Sequence, residues 1–86
     1  MEIKYTPQAQ DDIKFWKKSG NKAIQKKIIS LIEDILKHPY SGIGKPEPLK
    51  YELSGSWSRR ISLEDRLVYI MLTDEILEIQ SLKGHY

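Results

Sequence analysis

The sequence predicts a single α+β domain in which an N-terminal strand and a two-helix hairpin pack on an antiparallel β-sheet. Three observations point there. The first half carries two consecutive stretches of apolar residues at helical spacing. A Pro- and Gly-rich segment at residues 40–48 ends that pattern. The remainder breaks into short runs of β-forming residues separated by turn signals. Helices first and strands afterwards is the order of an α+β fold rather than of alternating βαβ units. A chain of 86 residues has room for one domain, spanning 1–86.

Each element has a local cause. Ile3 and Tyr5 alternate with Glu2 and Lys4, which reads as a first strand. Thr6-Pro7 is an N-cap followed by proline at the first helical position. Ala9, Ile13 and Trp16 then repeat at helical spacing, Phe15 widens the stripe, and Asp11 and Asp12 sit where negative charge suits the helix dipole. Ser19-Gly20-Asn21 stops this helix and caps the next. Ile24, Ile28, Leu31 and Ile35 form the stripe of the second helix, flanked by Ile32 and Leu36, and Pro39 ends it. Two amphipathic helices joined by so short a turn pack as an antiparallel hairpin. Residues 49–53, 57–62, 66–72 and 75–82 are the candidate strands, with turns at Ser54-Gly55 and Thr73-Asp74. The stretch 67–72 is apolar throughout, as a central strand buried on both faces would be.

Composition removes several function classes. No cysteine means no disulfide framework, thiolate metal site or cysteine nucleophile. Two histidines make a poor basis for a zinc site, so neither metal nor cofactor is expected. No apolar run approaches the roughly 20 residues of a membrane span, and the first ten residues lack the apolar core of a signal peptide. A cytoplasmic protein with no membrane association is the expectation. Fourteen basic and twelve acidic residues leave a net charge of +2, with net +3 on residues 1–44 and −1 on 45–86. Such a balance permits a nucleic-acid partner without requiring one.

Three places hold reactive groups. Glu47 lies between Pro46 and Pro48, whose restricted backbone would present a carboxylate at low entropic cost, as a general base needs. A solvated turn glutamate is the plainer reading. Arg59, Arg60 and Arg66 would be brought together by a hairpin, and clustered guanidiniums suit phosphate. An exposed strand with its charges paired to Glu64 or Asp65 is the alternative. His85 and Tyr86 end the chain directly after a strand. His85 is either an imidazole held near the sheet as an acid or part of a frayed tail. His38, before Pro39, suits a helix C-terminus. Together, a carboxylate, arginines and an imidazole are what RNA cleavage by the neighbouring 2′-hydroxyl uses, a route DNA cannot follow.

The blocks Lys45-Pro46-Glu47-Pro48-Leu49-Lys50, Leu53-Ser54-Gly55 with Trp57-Ser58-Arg59-Arg60-Ile61, Arg66-Leu67-Val68-Tyr69 and terminal His85-Tyr86 resemble the YoeB/Txe branch of the RelE-type toxins. Asp11-Asp12 with Trp16, and the Lys26-Lys27-Ile28 helix, extend the resemblance over essentially the whole chain. It implies a microbial-ribonuclease-like fold and the toxin of a type II toxin–antitoxin pair. It also implies an endoribonuclease that cleaves messenger RNA, chiefly in the ribosomal A site. Carried over by position, Glu47 matches the general base, Arg66 the phosphate-stabilising arginine and His85 the general acid. Tyr86 matches a tyrosine that shapes the site, while Lys50 and Arg60 match residues near the substrate phosphate. Arg59 is assigned to RNA or to structure. The implied partners are messenger RNA, the ribosome and a small antitoxin with an acidic segment, and a homodimer is compatible with the family.

Two positions depart from the family pattern. Asp65 stands where many members carry histidine, and is expected to weaken RNA attraction beside Arg66. Lys83-Gly84 replaces an Arg-Tyr pair, and Gly84 is expected to loosen the tail that carries His85. A protein that binds RNA or the ribosome without cutting is the competing reading, based on the lysine-rich helices. A module that only sequesters a partner is a third.

Overall fold

The computed structural model describes residues 1–84. His85 and Tyr86 lie outside the described residues. The elements are β1 (Glu2–Tyr5), α1 (Pro7–Ser19), α2 (Lys22–Lys37), β2 (Glu47–Pro48), a 3-10 turn (Tyr51–Leu53), β3 (Trp57–Arg60), β4 (Arg66–Thr73) and β5 (Ile76–Ser81). The caps act as their residue types require: the Thr6 hydroxyl accepts from the Ala9 amide, and the Asn21 side chain from Ile24. Gly20 ends α1.

The strands form one five-stranded sheet in the order β1-β5-β4-β3-β2. β2 to β5 are antiparallel neighbours, but β1 joins β5 in parallel, so the sheet is mixed. Local turn rules say nothing about a pair separated by the whole chain. The open edge of β5 is completed by the one strand left over.

Both helices lie on one face. Leu31 and Ile35 of α2, with Ala9 and Trp16 of α1, close over Leu67 and Tyr69 of β4 and Leu77 and Ile79 of β5. β4 is buried only from Leu67 to Tyr69 and emerges toward Thr73, so its far end is not the doubly covered strand its composition suggests. The expected strand at 49–53 does not form. Extension stops at Pro48, and Tyr51 takes φ 58°, turning the backbone into the 3-10 turn. β3 ends at Arg60 because the Ser62 hydroxyl accepts from the Glu64 and Asp65 amides and closes a turn. Among the described residues no helix is long and apolar enough to cross a membrane.

Candidate active site

The pleat of the sheet decides which side chains face away from the helices. Trp57 and Arg59 of β3 pair with Tyr69 and Leu67 of β4 on the helix side. Ser58 pairs with Val68 and Arg60 with Arg66 on the other side, and Glu47 of β2 pairs with Ser58. Period-two alternation therefore carries Glu47, Ser58, Arg60 and Arg66 to one surface. With Lys45 and Leu49 they line a cleft of about 100 Å³. The Arg66 Nη1 donates to the carbonyls of Ser62 and Asp65 at 3.1 and 3.3 Å, which anchors the guanidinium at the edge of the cleft. Among the described residues the only ion pairs are Lys4–Glu2 and Arg59–Asp34, so neither Arg60 nor Arg66 is ion-paired among them. Lys50 is exposed and does not line the cleft; Lys45 supplies its lysine instead.

Arg59 takes the structural role of the two open to it. It points inward, is 0% exposed, and has no surface to offer RNA. Its guanidinium uses all five donors. Nη1 donates to Asp34 Oδ2 at 2.5 Å and to the Ile43 carbonyl at 3.1 Å. Nη2 donates to the carbonyls of His38 and Ser41 at 2.5 and 2.8 Å, and Nε to the Tyr69 hydroxyl at 3.2 Å. The hydrogen bond from Arg59 holds the Asp34 carboxyl below its ordinary pKa, and burial pushes the Tyr69 phenol up. Tyr69 in turn donates to the Pro39 carbonyl at 2.6 Å. This network clips the 38–44 loop to the back of the sheet. The Arg60 amide then takes the Gly44 carbonyl at 2.7 Å, which delivers the chain to Lys45 and Glu47.

The C-terminal segment is tied down. Leu82 donates its amide to Asp12 Oδ2 at 2.8 Å, and its carbonyl accepts from Trp16 Nε1 at 2.8 Å. The Lys83 ammonium sits 4.1 Å from the centroid of the Phe15 ring. Gly84 donates to Asp65 Oδ1 at 2.9 Å and accepts from the Arg66 amide at 2.7 Å. Gly84 itself has both backbone groups bonded, and its φ of 77° is one that glycine adopts freely; the tail it was expected to loosen lies outside the described residues. The two departures from the family pattern meet in a single hydrogen bond. Asp65 engages the tail and the Ser62 hydroxyl, at 3.0 Å, rather than standing as a loose charge beside Arg66.

Sequence reasoning missed Lys45, Leu49 and Ser58 as lining residues, because only the strand register brings them in. It gave Asp12 a dipole role, whereas Asp12 is 4% exposed and binds the tail. A signal was present: Asp12 interrupts the apolar stripe Ala9, Ile13, Trp16, and a carboxylate at such a position needs a buried partner. The roles of His85 and Tyr86 fall outside the described residues.

A helix pair backed by a mixed sheet, with a basic cleft and a proline-flanked carboxylate on the open face, defines a small RelE-like toxin fold. Residues 5–86 match the family model described as the YoeB-like toxin of bacterial type II toxin-antitoxin system. Toxin YoeB of Escherichia coli K12 is 46% identical over 86 residues, the full length of both chains. A YoeB/ParE toxin from Agrobacterium tumefaciens superposes with a TM-score of 0.93 at 38% identity, covering all of both chains. Staphylococcus aureus YoeB, solved as a dimer and as a YoeB-YefM complex, gives TM-scores of 0.90 and 0.88 at 42% and 44% identity, over 100% of this chain and 98% of each of those. The chain belongs to the YoeB-like toxins of bacterial type II toxin–antitoxin systems.

Proposed function

We propose that the chain is an endoribonuclease that cuts messenger RNA in the ribosomal A site by intramolecular attack of a ribose 2′-hydroxyl. The observation that carries the proposal is the shared cleft. Glu47, Arg60 and Arg66 line one surface, and Gly84, the residue before His85, is hydrogen-bonded to Arg66. Glu47 takes the 2′-hydroxyl proton, and the 2′-oxygen attacks the adjacent phosphorus. Arg66, with Arg60, stabilises the charge that grows on the phosphate oxygens. The P–O5′ bond breaks and His85 protonates the departing 5′-oxygen. The products are a 2′,3′-cyclic phosphate and a 5′-hydroxyl. Tyr86 shapes the site around the acid, and Lys50 meets the backbone beyond the cleft.

Glu47→Ala and His85→Gln are each expected to lower cleavage of translated message by on the order of 10²-fold or more without loss of folding, Glu47 being exposed. Cleavage at the wild-type rate in both variants, or a 3′-hydroxyl product, would overturn the mechanism. The YefM complex of the S. aureus relative supports a small antitoxin as partner, and its dimer supports self-association. An enzyme that cuts translated message would work in the cytoplasm.

A non-cleaving RNA- or ribosome-binding inhibitor is the second reading. Lys17, Lys18, Lys22 and Lys26 are exposed on the helices, on the side of the sheet away from the cleft. Primer extension separates the two, because a non-cleaving inhibitor arrests ribosomes without creating new 5′ ends.

A further inference from the structure

We propose that Asp65 is a positioning residue for His85: its carboxylate holds the Gly84 amide and so fixes, beside Arg66, the backbone from which His85 follows. The inference rests on the acid–base reading of His85 given above. Asp65 is built to hold still. Its Oδ2 accepts from the Ser62 hydroxyl at 3.0 Å, and that hydroxyl accepts from the Asp65 amide at 3.1 Å. Its carbonyl accepts from the Ile61 and Ser62 amides at 2.9 and 3.2 Å. The remaining carboxylate oxygen, Oδ1, meets Gly84 at 2.9 Å.

Chain ends fray unless something ties them. Here the clamp reaches Gly84, the last of the described residues. Asp12 and Trp16 hold Leu82 at both its backbone groups, and Asp65 and Arg66 hold Gly84 at both of its own. Arg66 links the two functions, because its side chain lines the cleft while its amide holds the tail. Placing an acid relative to a phosphate is worth large rate factors, and a displacement near 1 Å costs about 10²-fold. With Asp65 removed, the Gly84 amide loses its partner and the residue is held only by its carbonyl's bond from the Arg66 amide.

The test combines cleavage kinetics with hydrogen exchange at the Gly84 amide. In Asp65→Ala, Gly84 exchange speeds up, kcat falls about tenfold and KM stays within about twofold of wild type. Asp65→Asn keeps an oxygen acceptor and retains both properties. An amide-to-ester replacement at Gly84 (glycolate in its place) removes the same hydrogen bond from the donor side and leaves the backbone free to keep its φ of 77°. It lowers kcat like Asp65→Ala, and the double variant is no worse than either single one. Wild-type kcat in Asp65→Ala with fast Gly84 exchange overturns the inference, as does an Asp65→Asn defect equal to that of alanine. Should Asp65→Ala not fold, wild-type kcat in the ester protein does the same. A wild-type protein that does not cleave, or His85→Gln cleaving normally, overturns the acid–base reading itself.

Discussion

Arg60 and Arg66 stand directly opposite each other across β3 and β4. Like charges in that position oppose strand pairing, and among the described residues no carboxylate neutralises either one. Under the proposed function, such an arrangement trades stability for a ready anion site. Arg60→Gln should therefore melt at the wild-type temperature or slightly above it. It should also weaken RNA binding and flatten the salt dependence by roughly 0.7 to 1 in the log–log slope, measured by titration at several salt concentrations. Arg66→Lys should not restore activity to an Arg66→Ala protein beyond a few-fold. A lysine offers a point charge where the forked guanidinium also anchors to the Ser62 and Asp65 carbonyls. Single-turnover cleavage rates distinguish these outcomes.

The loop between α2 and β2 rests its Tyr40 ring on Trp57 and leaves Ile43 exposed, and Arg59 supplies its polar order. One buried guanidinium satisfies three loop carbonyls, a helix carboxylate and a tyrosine hydroxyl. Asp34→Ala strips the charge partner from a fully buried arginine and should lower the midpoint of urea unfolding. Gly42 has φ 112° and faces the same carboxylate, so the methyl of Gly42→Ala would overlap Asp34 and disturb Glu47 through the loop. The pH dependence follows from the depressed Asp34 pKa. A carboxyl whose folded pKa lies below its unfolded one contributes stability that is fully present above the unfolded pKa. That contribution is lost as pH falls through the folded value. The stability difference between wild type and Asp34→Asn should thus be constant above about pH 5 and shrink from about pH 4 downward. Denaturant unfolding across that range checks the sign.

Both ends of the chain meet at β5. β1 pairs with it in parallel, the Thr6 hydroxyl donates to the Gln80 carbonyl at 2.7 Å, and α1 holds Leu82 immediately beyond it. Removing residues 1–5 would uncover a six-residue strand edge and lose the packing of Ile3 and Tyr5 on the core. The truncated protein should have a lower Tm and aggregate, seen by light scattering, even though every cleft residue is retained. The helix layer and the cleft lie on opposite faces of one thin sheet. A partner covering the helices therefore leaves the cleft open unless it also reaches around an edge.

The order of elements, the two helix caps and the α+β class were legible because they depend on neighbours in sequence: Thr6-Pro7, Asn21 and the 3.6-residue stripes act within a few positions. Glu47 and Arg66 could be singled out by residue type and context. What the chain could not disclose by itself was which way each side chain points. Arg59 and Arg60 are adjacent and chemically identical, yet one is sealed inside and the other faces the cleft, because the register of β3 against β4 assigns alternate residues to opposite faces. The parallel seating of β1, the turn at Tyr51, and the meeting of Asp65 with Gly84 were likewise decided in three dimensions. Each depends on contacts between distant residues that exist only once the sheet has closed.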